Sequence, residues 1–298
     1  MRIAVLVAVH NRCRSTINAL QSVIVDNAVL GASLEVFLLD DGSTDGTAEA
    51  VRSRFPNVTV VTGDGSLYWN RGMARVFSEA CKYDFDYYLW LNDDTQLLSG
   101  ALATLLGMGA RAGDNIIVVG TTCDPVSGTA TYGGVRIANR WHRLRYALIQ
   151  PSDEIQEVDT MNGNCVLLPK CVVDLVGNLD VAFTHSIGDF DYGLRARRLG
   201  VKLLVAPGFV GVCARNTISG TWRDPNLRLS LRWRHLTGVK GLPFREWSLF
   251  ARRHGGVLWP VLCLAPYLRV IIEYLMQRLA GSSLHVPSPS NNETCTDR

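Results

Sequence analysis

Five apolar runs divide the first 122 residues: IAVLVAV (3–9), LEVFLLD (34–40), NVTVVTG (57–63), FDYYLWL (85–91) and NIIVVGTT (115–122). A strand with one wet face alternates apolar and polar residues, whereas an unbroken apolar run marks a strand covered on both faces. Between the runs lie stretches with helical character. One is predicted from about Ser15 to Val29, and a second carries AEAVRSRF with Thr44 or Asp45 at its start as cap. NRGMARVFSEACK and GALATLLGMGARAG supply two more. Strands alternating with helices predict a doubly wound, mostly parallel α/β sheet with right-handed crossovers.

After about residue 124 the pattern changes. GTATYGGVRI and RWHRLRYALI read as antiparallel partners around Ala138 and Asn139, which adds a small antiparallel sheet. NCVLLP is a further apolar strand, KCVVDLVG a short helix, the second half of HSIGDFDYGLRARRLG a helix, and VKLLVAP a strand. Residues 226–254 read as Arg-rich helix, and 257–279 form the most hydrophobic late stretch. The organisation expected is a catalytic domain over 1–215, a C-terminal helical segment over 216–281, and a disordered Pro/Ser-rich tail over 282–298.

Composition narrows the class. With 47% hydrophobic and 19% charged residues in 298, the chain can bury a large core. A net charge of +3 gives no case for nucleic acid as a partner, but from Arg215 onward Arg and Lys outnumber Asp and Glu. The eight cysteines are scattered without a CxxC pair, and several sit inside apolar runs. This argues against a zinc ribbon and for small buried thiols in a reducing compartment. The opening MRIAVLVAVHNR holds too short an apolar run for a signal peptide and reads as a buried strand.

In a parallel sheet, ligands bind at the carboxyl ends of the strands. The polar clusters fall there: HNR after the first strand, DDGS after the second, GDG after the third and NDD after the fourth. The carboxylates of NDD suit Mg²⁺ or Mn²⁺, hard cations that also bind phosphate oxygens; a plain capping turn is the alternative. Asp40 can accept from a base N–H, or close an Asx turn. Asp189 and Asp191 fall at a helix start, where one carboxylate suffices as cap and the other is available as general base for an acceptor hydroxyl.

VAVHNR, LLDDGSTDGT, WLNDDT and GDFDYGLRARRLG, in this order, resemble the family 2 glycosyltransferases of GT-A (nucleotide-diphospho-sugar transferase) fold, over roughly residues 1–215. GDGSLYWNRGM further resembles bacterial members that build surface polysaccharides, rhamnosyl- and galactosyltransferases among them. The resemblance implies an inverting transferase that moves a sugar from a UDP- or dTDP-sugar to a saccharide hydroxyl with Mg²⁺ or Mn²⁺. Ala8, His10, Asn11 and Arg12 would then line base and ribose, with Val9 between them. Asp40 would meet the base, and Gly65, Trp69, Asn70 and Arg71 would approach the nucleotide. Asn92 would belong to the nucleotide site, Asp93 would contact ribose or sugar, Asp94 would hold the metal, and Asp189 would be the general base. Asn162, Asn164, His185, Asp191 and Trp222 are candidates for the acceptor side. Two positions depart from the family pattern: Gly188 replaces the usual acid before the base, and Cys213 stands where a metal-binding His is common. A nucleotidyltransferase, the competing enzyme reading, resembles a Gly-rich first loop that HNRCRS lacks; an inactive scaffold of the same fold is a third reading.

In VLWPVLCLAPYLRVIIEYLMQRL, Pro260, Pro266, Arg269 and Glu273 speak against a membrane span. Basic residues before it favour a helix lying on an anionic membrane surface, with packing on the domain or in a homodimer as the alternative. A lipid-linked saccharide acceptor at the inner face of the cell membrane, approached from the cytoplasm, fits that arrangement.

Overall fold

The computed structural model describes residues 1–112 and 115–282. The tail assigned to 282–298 lies outside the described residues from 283 onward. The predicted alternation is present: β1 (Arg2–Val9), α1 (Cys13–Leu30), β2 (Ser33–Asp40), α2 (Thr47–Arg54), β3 (Thr59–Thr62), α3 (Tyr68–Ala80) and β4 (Tyr87–Leu91). Then come β5 (Gln96–Leu97), α4 (Ala101–Ala112), β6 (Ile116–Val119), β7 (Thr122–Cys123), β8 (Ala130–Tyr132), β9 (Gly134–Ile137), β10 (Tyr146–Leu148), β11 (Gln156–Val158), β12 (Thr160–Met161) and β13 (Cys165–Pro169). The chain continues through α5 (Lys170–Val176), α6 (Gly188–Arg198), β14 (Lys202–Val205), β15 (Gly211–Val212), α7 (Leu229–Thr237) and α8 (Phe244–His254). A 3₁₀ turn (Gly256–Leu258) then leads into α9 (Trp259–Ser282).

Eight strands form the main sheet in the order β11-β14-β6-β13-β4-β1-β2-β3. Along β1, Ala4, Leu6 and Ala8 enter the core on one face, and Ile3, Val5, Val7 and Val9 the core on the other. Both faces are dry, which is why the sequence shows no alternation there. Two small sheets lie beside the main one, β10-β9-β12 and β5-β15-β7-β8. The first contains the antiparallel hairpin expected around Ala138, with Ile137 opposite Tyr146. Asp45 does serve the start of α2, accepting from both the amide and the hydroxyl of Thr47.

One feature of the sheet sets the site. Strand β13 runs antiparallel between β4 and β6, with Cys165 opposite Leu91. The turn before β13 therefore lies at the carboxyl end of β4, and the Asn92 N–H donates to the Asn164 carbonyl at 3.0 Å. Helices α7–α9 share an apolar cluster with Phe183 and with Leu194 of α6. Among the described residues one helical stretch, Gly256–Leu279, is long and apolar enough to cross a membrane.

Candidate active site

The polar ends of β1, β2 and β4 are tied to one another directly. Asp40 is buried, and its carboxylate accepts from the Ser43 N–H at 2.9 Å, an Asx-type closure of the turn. The Ser43 hydroxyl accepts the Asn11 N–H at 2.9 Å, and the Asn11 side-chain oxygen accepts the Thr44 N–H at 2.7 Å. His10 donates from Nδ1 to the Asp41 carbonyl at 2.6 Å, so its Nε2 is the acceptor for the Asn11 amide. Next in sequence, Arg12 places one guanidinium nitrogen 2.6 Å from Asp94 Oδ2 and 3.2 Å from Asp93 Oδ1.

Asp93 is buried, and desolvation pushes its pKa up to about 7 against the opposing pull of Arg12. Arg12, drawn by Asp93 and Asp94, is held above its ordinary value. On the far side, Asp94 Oδ1 accepts from the Cys213 thiol at 3.4 Å, and the Asn164 amide reaches the same sulfur at 3.7 Å. Burial, then the charge of Asp94, pushes the Cys213 thiol up to about 12, so it stays protonated and acts as a donor to Asp94.

A second branch leads from β13 to the predicted base. Asp189, in the first turn of α6, accepts the Gly163 N–H at 2.9 Å and the Phe190 N–H at 2.9 Å. Desolvation raises its pKa to about 6 in spite of these bonds. Gly163 must be glycine: a Cβ there would lie 2.5 Å from the Trp69 ring. Trp69 donates its indole N–H to Asn92 Oδ1 at 2.8 Å. One strip of side chains thus runs from Asp40 through Ser43, Asn11 and Arg12 to Asp94, and on through Cys213, Asn164 and Gly163 to Asp189. Among the described residues, the non-glycine residues with positive φ are Asn11 (52°), Tyr68 (55°) and Ile187 (62°). All three border this strip, and for a β-branched residue such as Ile187 the conformation is strained, as is common where a fold fixes functional groups.

Other expected residues sit differently. Asn70 is fully buried and donates to the carbonyls of Asp180 (2.8 Å) and Phe183 (2.6 Å), so it braces the turn before α6 and does not face a nucleotide. Arg71 is drawn to the Val181 carbonyl at 3.0 Å. The amides of Asn70 and Arg71 are taken by the Thr184 carbonyl, so the start of α3 is satisfied from within. Ala8 is core, packed under α3 near Gly72. Asp191 is not open to an acceptor: fully buried, it accepts from Arg195 (2.9 Å), His254 (2.8 Å) and Arg253 (3.1 Å). Trp222 packs against the C-terminal cluster with Arg223 over its ring at 4.8 Å. His185 accepts the Trp69 N–H at 3.4 Å. Burial, then Lys240 and Arg12, pushes it down to about 4, so it is neutral near pH 7. Asn162 bonds backbone and side chain to Gly133, at the base of the β9–β10 hairpin.

Two contributions were not read from the sequence. Asp41 accepts from the Gly65 amide (2.9 Å) and the Tyr68 amide (2.8 Å), and so fastens the third-strand loop to the second. Gly65 adopts φ +87° there, which favours glycine. Gly188, where the resemblance implied an acid, has no room for a side chain, because Asn70 fills the space: a Cβ at 188 would fall inside the contact distance of the Asn70 amide. A depression of about 600 Å³ opens beside Arg12, bounded by Asn11, Cys13, Ser15, Asp45 and Gln96.

The sequence profile of Glycosyl transferase family 2 matches residues 4–172, more than half of the chain. The chain belongs to that family. The match spans Asp40, Asp93 and Asp94 and sets aside the nucleotidyltransferase reading. This glycosyltransferase is 24% identical over 222 residues to the N-acetylglucosaminyl-diphospho-decaprenol L-rhamnosyltransferase of Mycobacterium tuberculosis, in both strain CDC 1551 / Oshkosh and strain ATCC 25618 / H37Rv, covering 66% of this chain and 71% of the relative. Among solved structures it is similar to GalNAc-T7 with UDP, GalNAc and Mn²⁺ (TM-score 0.58, 16% identity, 84% of this chain). The glycosyltransferase spans about half, 51%, of that structure's length. It is also similar to the mannosyltransferase PcManGT of Pyrobaculum calidifontis with GDP-Man and Mn²⁺ (TM-score 0.55, 14% identity, 96% of this chain and 76% of that one). A third likeness is to TarS 1–349 of S. aureus with UDP (TM-score 0.51, 13% identity, 85% and 70%). These likenesses show that the fold is GT-A.

Proposed function

We propose that this glycosyltransferase moves a sugar, with inversion, from a UDP- or dTDP-sugar to a hydroxyl of a lipid-linked saccharide during surface polysaccharide synthesis, at the cytoplasmic face of the cell membrane. The observation that carries the reading is the half-buried Asp189 carboxylate, held by the Gly163 amide on the same strip as Asp93 and Asp94. A sugar hydroxyl is a weak nucleophile, and a carboxylate with pKa near 6 is ionised at neutral pH yet basic enough to take its proton. The lipid-linked acceptor is supported by the decaprenol-linked acceptor named for the mycobacterial relative.

Asp93 and Asp94 fit a hard divalent cation. They are two carboxylates already facing positive charge from Arg12, and they sit at a strand end where diphosphate oxygens would complete the coordination. Among the described residues no group of three or more His, Cys, Asp or Glu is arranged as a ready metal site, which suits a cation that arrives with its nucleotide. Asp94 would hold Mg²⁺ or Mn²⁺, with Asp93 beside it at ribose or sugar. When bound, the cation supplies positive charge to the departing nucleoside diphosphate. The chain's own residues do the rest: Asp40, His10 and Asn11 shape the base pocket, Arg12 adds charge beside the phosphates, Trp69 and Gly163 wall the sugar, and Asp189 takes the acceptor proton.

Purified protein incubated with UDP- and dTDP-sugars and a polyprenyl-diphosphate saccharide should release nucleoside diphosphate in an acceptor-dependent way. Asp189→Asn should keep nucleotide affinity and lower turnover by about 10²- to 10⁴-fold. An active Asp189→Asn variant removes the base assignment.

A further inference from the structure

Helix α9 has two apolar faces, and only one is covered. Leu262, Cys263, Tyr267 and Val270 are buried against α7 and α8. Trp247 donates to the Cys263 carbonyl at 2.9 Å, and the Tyr267 hydroxyl to the Leu242 carbonyl at 2.6 Å. Opposite them, Val261, Leu264, Leu268, Ile272, Leu275 and Leu279 stand 50–71% exposed. Their spacings of three and four residues make one straight stripe, about 27 Å long at 1.5 Å per residue. Scattered apolar residues are normal on a soluble surface, but an unbroken row marks an interaction face.

The surroundings identify its partner. At about 100° per residue, Arg269 and Arg278 flank the stripe on opposite sides, each roughly a quarter turn from its centre. From Arg215 to Ser282 the chain holds eleven Arg and Lys against three Asp and Glu, although its net charge over 298 residues is only +3. Just before the stripe, in the 3₁₀ turn, Val257 is 94% exposed, and the preceding Gly256 lies against Arg143: a Cβ there would be 3.4 Å from the Arg143 side chain. Arg143 belongs to the loop joining β9 and β10, which also carries Trp141, 67% exposed, with Arg140 over its ring at 5.1 Å. An apolar row flanked by arginines, with a loop carrying an exposed indole beside the turn that leads into it, matches the headgroup region of an anionic bilayer.

We infer that the outer stripe of α9 and the Trp141 loop form one surface that lies flat in the headgroup layer of an anionic membrane. The helix lies in the plane because its inner face is held by polar ties that hydrocarbon would not tolerate. Arg232, 1% exposed, pairs with Glu273 at 2.7 Å, and Arg269 pairs with the same carboxylate at 2.6 Å. A second copy of the chain is the poorer partner, since it would bring an equally cationic surface against this one. The β9–β10 hairpin then links membrane to site. Its base, at Gly133 and Gly134, bonds Asn162 and β12, and its tip meets Gly256. Five residues separate Gly134 from Asn139, about 17 Å of strand. Resting on the lipid-linked acceptor reading, this is a reach that a diphosphate and its first sugar can bridge.

The test is sedimentation of the full chain with vesicles of phosphatidylcholine alone or mixed with phosphatidylglycerol. The protein should pellet with the mixed vesicles, be partly released by added salt, and remain in solution with phosphatidylcholine alone. Leu264→Glu/Leu268→Glu/Ile272→Glu, all at exposed positions, should weaken vesicle binding by about tenfold or more while keeping the circular dichroism spectrum and melting temperature. Trp141→Ala should weaken binding several-fold. Unchanged pelleting of the triple variant overturns the inference. So does a wild-type dimer in analytical ultracentrifugation that the triple variant dissolves while neither protein binds vesicles. Vesicle binding needs no sugar donor, so a chain that binds vesicles but transfers nothing would sink the transferase reading alone.

Discussion

Gly188 offers a sharp test of how the site is built. In an open helix, Gly→Ala gains about 1 kcal/mol. Here the added methyl would lie well under 3 Å from the Asn70 amide oxygen, so Asn70 has to leave its place. That amide makes two buried bonds, 2.8 Å to Asp180 and 2.6 Å to Phe183. Each is worth about 1 kcal/mol net, and each carbonyl left unpaired costs about 1–3 kcal/mol more. After the helix gain, Gly188→Ala should lose about 3–7 kcal/mol of stability. Urea unfolding followed by circular dichroism measures this, with turnover read on the same samples. Asn70→Ala alone should cost a similar amount, and the double variant no more than Asn70→Ala, because the methyl then enters space already vacated. Additive losses, or a Gly188→Ala protein as stable as wild type, would refute the claim that Asn70 dictates the glycine.

Two further outcomes follow from the carboxylates of α6. Burial raises the pKa of Asp189 to about 6, and the base works only when ionised, so kcat/KM should fall about tenfold per pH unit below 6; a profile flat down to pH 5 would point to another base. Asp191→Asn removes the buried partner of Arg195, Arg253 and His254 and should cost about 3–5 kcal/mol in denaturant unfolding.

The parallel half of the fold was legible because each strand buried on both faces writes itself as an apolar run, and each polar cluster ends one. The position of β13 was not: its five buried residues mark a strand, but the neighbour and direction come from pairing with Leu91 and Val119, which local pattern does not encode. At the site, Asp40, Asp93 and Asp94 fell on one strip because strand ends in one sheet converge, and Asp189 joins it from the start of α6 through the Gly163 amide ahead of β13. How Asn70 and Arg71 turn was not legible, for the opposite reason. They begin a helix, and which way a helix-start side chain turns depends on the 180–184 turn, more than a hundred residues away. Gly188 reads as a lost acid until Asn70 is seen in its place.

Asp189 and Asp191 show how far tertiary contact divides equal residues. Two positions apart on a helix lie about 200° apart around it, so one carboxylate meets the Gly163 amide while the other meets α8. Desolvation raises Asp189. Burial also pushes on Asp191, but bonds from His254 and Arg195 outweigh it and hold that carboxylate below its ordinary range. The back of α6 is therefore built by the C-terminal helices. Arg253 bridges Asp180 and Asp191, and Glu246 of α8 accepts from the Thr184 amide (3.0 Å) and hydroxyl (2.7 Å) beside His185. A chain ended at residue 215 would expose Phe183 and Leu194 and leave Asp191 with Arg195 as its remaining partner. Such a truncation should be insoluble, or lose nucleotide-dependent thermal stabilisation together with transfer. A soluble, active 1–215 fragment would show that α7–α9 only accompany the catalytic fold and do not hold its base in place.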